Sequence, residues 1–346
     1  MLILGSCSKN EPLNDSDGYT PVPLALEIPP FFEQNILAPI IPVNNPLTKE
    51  GVDLGKKLFF DPILSVDNSI ACSDCHMPTN AFTDANQFSD GVNGVLGPRN
   101  SMPLFNLAWN YDERFFWDGS AFSLENQVNH PVTDTEEMAN TWANVVATLE
   151  AITTYPDLFL KAFGDSNIDS IKVAKAIAQF ERTLISGNSK FDKYLAGEVA
   201  LSEAEENGIA VFMDETRGDC FHCHGNPNNP LWTDNIFHNN GLDSTFLDLG
   251  LGAVTGDPAD NGKFKSPSLR NLAYTAPYMH DGRFATLEEV VDHYSEGLKP
   301  SSTIDPLMKK VAQGGVRLTE KDKADLVAFL LSLSDDEFIN DSGRLD

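Results

Sequence analysis

The chain has 346 residues, 41% of them hydrophobic, and a formal net charge of −27 from 24 basic and 51 acidic residues. That hydrophobic content supports a packed core and excludes global disorder. The acidity excludes nucleic acid as a partner and favours a cationic protein, which opposite fields would steer to it. The length suits two domains better than one, and no run of about 18 apolar residues is present to span a membrane.

At the start, Leu4-Gly5-Ser6-Cys7 resembles a bacterial lipobox, in which a signal peptide is cut before a cysteine that is then lipidated. Only six residues precede Cys7, whereas a complete signal needs a charged region and about 7–15 apolar residues. The expectation is a signal remnant with a lipid anchor at Cys7. Ser8 to Pro30 is polar and rich in Asn, Asp and Pro, which reads as a flexible tether. Residues 1–30 are therefore expected to be anchor and tether.

From there a series of words occurs twice. The first half carries GKKLFFDP, ACSDCH, SMPLFNLAW and FWDGSAFSLENQ; the second carries GIAVFMDE, DCFHCH, SPSLRNLAY and MHDGRFATLEEV. Ser101–Trp109 matches Ser266–Tyr274 at an offset of 165, and Trp117-Asp118-Gly119 matches His280-Asp281-Gly282 at 163. Two copies of one unit are predicted, over 31–190 and 191–346, joined near Ser186–Ser202. Ile171, Ala174, Ile177, Ala178 and Ile185 fall near helical spacing, with Glu181 interrupting the stripe. Thr286 and Thr319 look like helix starts. Strand alternation is scarce, and Asn226–Asn240 and Gly250–Lys265 read as long loops around a crevice. The predicted class is all-α, two cytochrome c-like domains.

Four of the five cysteines lie in two CxxCH motifs, Cys72, Cys75, His76 and Cys220, Cys223, His224. In CxxCH the thiols add to the vinyl groups of a haem and the adjacent His supplies an axial nitrogen. Zinc would want four ligands per site with no His at this fixed place, and disulfides do not account for the His. Two covalently bound c-type haems are predicted. The second axial face decides the chemistry: a filled one makes an electron carrier, an open one can bind peroxide.

With these motifs, the sequence from about Gly51 to Leu333 resembles the bacterial dihaem cytochrome c peroxidases and their MauG-like relatives. The resemblance implies a distal ligand for the second haem fourteen residues after His280, which is Tyr294; ordinary members carry Met there and the MauG-like branch Tyr. A phenolate favours oxidised iron, so that branch resembles enzymes that hold high-valent iron. Met279 is the rival ligand, and His280 and Asp281 are expected to shape the surroundings without binding iron. The repeat sets Pro131 opposite Tyr294, and Pro cannot bind iron. Family members block the first haem with a His in the loop matching Phe82–Arg99, where this chain has none, so that site is expected to be open at rest, with His130 the residue that could reach in. The resemblance further assigns Gln127 and Glu137 as the acid/base pair, with Glu136 a confusable neighbour. It makes Trp117 the aromatic between the haems, and Asn100, Thr275 and Pro277 ligands of an interdomain calcium. The function it implies is a periplasmic lipoprotein peroxidase. This would reduce hydrogen peroxide with electrons from a small donor such as a cytochrome c or cupredoxin, with a homodimer allowed. The alternatives are an oxidase acting on a protein or small-molecule substrate, and a non-catalytic electron carrier or redox sensor.

Overall fold

The computed structural model describes residues 19–341 and Gly343; Cys7 and the lipobox lie outside the described residues. Among the described residues the architecture is helical, with one antiparallel two-stranded ribbon in which Phe237 pairs with Lys265 and His238 with Phe264. Among the described residues no helix is long and apolar enough to cross a membrane.

Two helix pairs form the frame. Helix Lys49–Phe60 packs on Ser170–Glu181, and helix Glu203–Met213 packs on Glu320–Leu331. Each begins at a side-chain cap: Thr48, Asp169, Ser202 and Thr319 each accept a hydrogen bond from an N–H of the first turn, a contribution of about 1 kcal/mol apiece. Gly51, Leu54, Gly55, Leu58 and Phe59 bury one face of the first helix, at steps of three and four residues. At Gly55 a Cβ would overlap the Ala176 carbonyl oxygen, and at Gly208 the Asp325 carbonyl oxygen. Only glycine permits both approaches.

The first pair holds a core of Leu58, Phe59, Phe82, Phe159 and Ile177 among others. The second holds a ring of Phe191, Phe212, Trp232 and Phe329, with centroids 5.3 to 5.7 Å apart and mostly edge-on, the favoured arrangement for aromatic quadrupoles. Burying each such side chain stabilises by about 1.5–3 kcal/mol.

The 170–181 stripe is buried as expected at Ala174, Ile177 and Ala178, and departs from the expectation at its ends. Ile171 is 65% exposed, Ile185 lies beyond the helix, and Glu181 is buried. The true face runs through Val173, Ala174, Ile177 and Glu181. Gly250–Lys265 is also more than loop, since it contains helix Leu251–Thr255 and the second ribbon strand.

The halves meet at a buried joint. Ser186 donates its N–H to Asn106 Oδ1 (3.0 Å) and accepts Asn106 Nδ2 at its carbonyl (2.9 Å). Its hydroxyl donates to Asp335 (3.2 Å) and accepts from Asn271 Nδ2 (3.0 Å). Helix Asp336–Asn340 then crosses back: Phe338 lies 5.8 Å from Phe82 and 6.0 Å from Phe105, inside the first core.

Candidate functional site

Each CxxCH motif is one tight helical turn. The His76 N–H donates to the Cys72 carbonyl (2.9 Å) and the His224 N–H to the Cys220 carbonyl (3.3 Å). This brings both thiols and the imidazole to one side. Burial pushes the Cys75 thiol up to about 11 and the Cys220 thiol up to about 12, so neither is a free thiolate.

The imidazoles are oriented from behind. His76 Nδ1 lies 2.9 Å from the Phe82 carbonyl oxygen. A carbonyl can only accept, so Nδ1 carries the proton and Nε2 is left as a metal ligand. Ser101 Oγ donates to the Cys75 carbonyl (2.9 Å) and lies 3.3 Å from His76 Nδ1. Ser266 does the same in the second half, donating to the Cys223 carbonyl (3.2 Å) beside His224 Nδ1 (3.4 Å). Thr83 and Thr233 donate to the carbonyls of those two serines, at 2.6 and 2.7 Å. Burial depresses both imidazoles, His224 to about 4, so they are neutral, as ligation requires.

Each motif opens onto a cavity, about 380 Å³ in the first half and about 220 Å³ in the second. Thiols, a neutral imidazole and apolar walls fit a covalently held haem in each.

The first cavity is walled by Cys72, Cys75 and His76, and by residues of the segment 124–138. Ser123 caps the short helix ending at Gln127, and Pro131 lies in the next turn, Asn129–Thr133. Glu137 is held by its backbone: its carbonyl accepts the Val92 N–H (2.8 Å) and its N–H donates to the Asp134 carbonyl (3.2 Å). Burial, then the charges of Asp134 and Glu136, raise the Glu137 carboxyl to about 7. Glu136 is exposed and Glu137 half-buried, which separates the two neighbours. His130 lines the cavity but is exposed, its ring edge-on to Phe116 at 5.1 Å.

The second cavity meets helix Leu287–Asp292, capped by Thr286, which continues as a wider π turn through His293–Gly297. Leu287, Val290, Val291 and Tyr294, at steps of three, one and three residues, all face it. The rival ligands Tyr294 and Met279 share one neighbour. Asn240 Nδ2 donates to the Tyr294 hydroxyl (3.1 Å) and lies 3.6 Å from the Met279 sulfur. Burial raises the Tyr294 phenol to about 12. The sequence carries no signal for Asn240, 54 residues away from Tyr294. The His280 ring stacks on Phe264 at 3.6 Å and Asp281 pairs with Arg283.

Trp117 stands between the cavities and lines both. Its indole N–H donates to the Asn100 carbonyl (2.8 Å), and its own carbonyl accepts the Lys265 N–H (2.8 Å). Asn100 and Lys265 line both cavities as well. Thr275 and Pro277 line the second with Asn100. Asn100 Nδ2 donates to the Asn86 and Gln87 carbonyls (3.1 and 3.3 Å), which aims its amide oxygen the other way. Among the described residues no group of three or more His, Cys, Asp or Glu could hold a metal, so an ion here would be held by amide, hydroxyl and carbonyl oxygens.

A family model described as di-haem cytochrome c peroxidase matches residues 49–200. The methylamine utilization protein MauG of Methylophilus methylotrophus is 38% identical over 298 residues, 84% of each chain. The cytochrome-c peroxidase IdrP1 of a Pseudomonas species (strain SCT) is 34% identical over 335 residues, 86% of this chain and 85% of that one. The crystal structure of a MauG-like protein associated with microbial copper homeostasis superposes with a TM-score of 0.83 at 35% identity, covering 93% of this chain and 99% of that one. Likeness of this extent, on a helical frame with two CxxCH cavities, places the chain in the di-haem cytochrome c peroxidase family, oxidoreductases that carry two c-type haems.

Proposed function

We propose that this protein reduces hydrogen peroxide to water at its first cavity, with electrons delivered by a donor protein through the second. The observation that carries the reading is Glu137. It is a half-buried carboxyl on the cavity wall with a proton affinity near neutrality, so it can both take and give a proton at pH 7. When bound, the haems supply a face for peroxide and storage for two electrons. The protein does the rest. Glu137 takes the proton from one peroxide oxygen and returns it to the other, which leaves as water. Gln127 orients the peroxide by hydrogen bonding, and Pro131, with no side-chain donor atom, would leave iron in this cavity accessible to peroxide. Trp117, in both cavity walls, carries electrons between them. The balance is H2O2 + 2 H+ + 2 e− → 2 H2O.

The paired helices, serines and threonines support two copies of one haem-binding unit, over 31–190 and 191–346. Asn100, Thr275 and Pro277 are proposed to hold a calcium ion at their junction. The acidic surface suits a cationic cytochrome c or cupredoxin as donor. Periplasmic placement through a lipid on Cys7, and a homodimer, complete the proposal.

The test is stopped-flow mixing of the fully oxidised protein with peroxide, followed by turnover with a reduced cytochrome. An immediate change in the Soret band and steady donor oxidation are expected. A lag removed by pre-reduction would show that the site is blocked at rest. A second reading, oxidation of a protein or small-molecule substrate in the MauG manner, is favoured by the Tyr294 phenol in the second cavity; peroxide consumption without cytochrome oxidation would select it.

A further inference from the structure

Glu181 ends the Ser170–Glu181 helix at 3% exposure, on the wall of the first cavity. Its Oε2 is buried and finds no hydrogen-bond partner among the described residues. The adjacent cation is already committed, since Arg182 grips both oxygens of Glu125 at 2.7 and 3.1 Å. Arg182 favours the ionisation of Glu181 and Glu125 opposes it, and a charge on Glu181 in turn raises the neighbouring buried Cys72 thiol. Burial outweighs both and raises the carboxyl to about 8. A buried carboxylate without a counter-ion costs several kcal/mol, so the group rests as the neutral acid. Its Oε2 thus lacks an acceptor among the described residues, in a side chain that borders the cavity. No step described above uses it.

We propose that Glu181 is a second proton donor of the first cavity, supplying the protons that peroxide reduction consumes when electrons arrive. The inference rests on the peroxidase reading. Glu137 moves a proton already present in peroxide, which releases one water and requires no uptake. The remaining oxygen becomes water only by taking two electrons from the reduced donor and two protons. Glu181 gives one proton with the first electron, is reloaded from the solvent side of the cavity where exposed His130 stands, and gives another with the second. Glu137 and Glu181 thus divide the work: one shuttles within the substrate, the other imports.

The experiment compares haem-loaded wild type with Glu181→Gln. Oxidised Glu181→Gln should react with peroxide within about twofold of the wild-type rate, because Glu137 is intact. The following phase, reduction by a reduced cytochrome, should slow about tenfold or more, as loss of a general acid does, and show a larger solvent deuterium effect. Independently of activity, the infrared spectrum of wild type should contain a protonated-carboxyl band that Glu181→Gln lacks. In wild type alone, the reductive phase should fall as pH rises through about 8, which tests the idea even where the variant fails to load haem. Equal rates in both phases, or no missing band, overturn the role of Glu181 alone. A wild type inert to peroxide overturns the peroxidase reading and this assignment with it.

Discussion

If Glu137 is the proton shuttle proposed above, it sets a pH window for the reaction with peroxide. The carboxyl is raised to about 7, and the form that accepts the peroxide proton is the carboxylate. The ionised fraction is about one tenth at pH 6, half at pH 7 and nine tenths at pH 8. The second-order rate of the oxidised protein with peroxide should therefore rise about tenfold between pH 6 and 8 and level off above, with a slope near one on the acid side. Glu137→Gln should abolish the slope and lower the plateau by about 10²–10⁴. Neighbouring charges give a finer check. Asp134 and Glu136 both push the carboxyl up, Asp134 the more strongly. Asp134→Asn should thus move the profile to lower pH, and Glu136→Gln should do so by less. Stopped-flow absorbance at the Soret band, in buffers of fixed ionic strength, reads all four proteins. A profile flat from pH 5.5 to 8, or a Glu137→Gln protein as fast as wild type, would refute the argument.

Two further outcomes are expected. Tyr294→Phe should change the optical and magnetic signature of the second haem, and Tyr294→Met should leave it six-coordinate at a higher potential; spectra unchanged by Tyr294→Phe would pass the ligand role to Met279. Gly208→Ala, whose Cβ would meet the Asp325 carbonyl oxygen, should force the second helix pair apart and cost about 1–3 kcal/mol in denaturant unfolding, and an unaltered midpoint would count against the close approach.

The two CxxCH motifs were legible because their pattern is local. Five contiguous residues carry thiol, thiol and imidazole, and the turn is closed within the motif by the His76 N–H on the Cys72 carbonyl. Caps were legible for the same reason, as at Thr286 and Thr319. Glu137 was visible only through resemblance: beside Glu136 it differs in exposure, and exposure is a property of the fold. Glu181 looked like a fault in an apolar stripe, and Ile171 like part of it. The helix buries the expected Ala174, Ile177 and Ala178 and adds Val173 and Glu181 to that face. Asn240 escaped because its contact with Tyr294 is made by tertiary packing alone.

The return of Phe338 to the first core bears on how the protein is made. Phe82, whose carbonyl fixes His76, leans on a side chain synthesised some 250 residues later. Until Phe338 is in place, the packing that steadies the first motif's histidine is therefore incomplete. Premature termination just before Asp336 would spare the nearby second site in sequence, yet strip the buttress from the first.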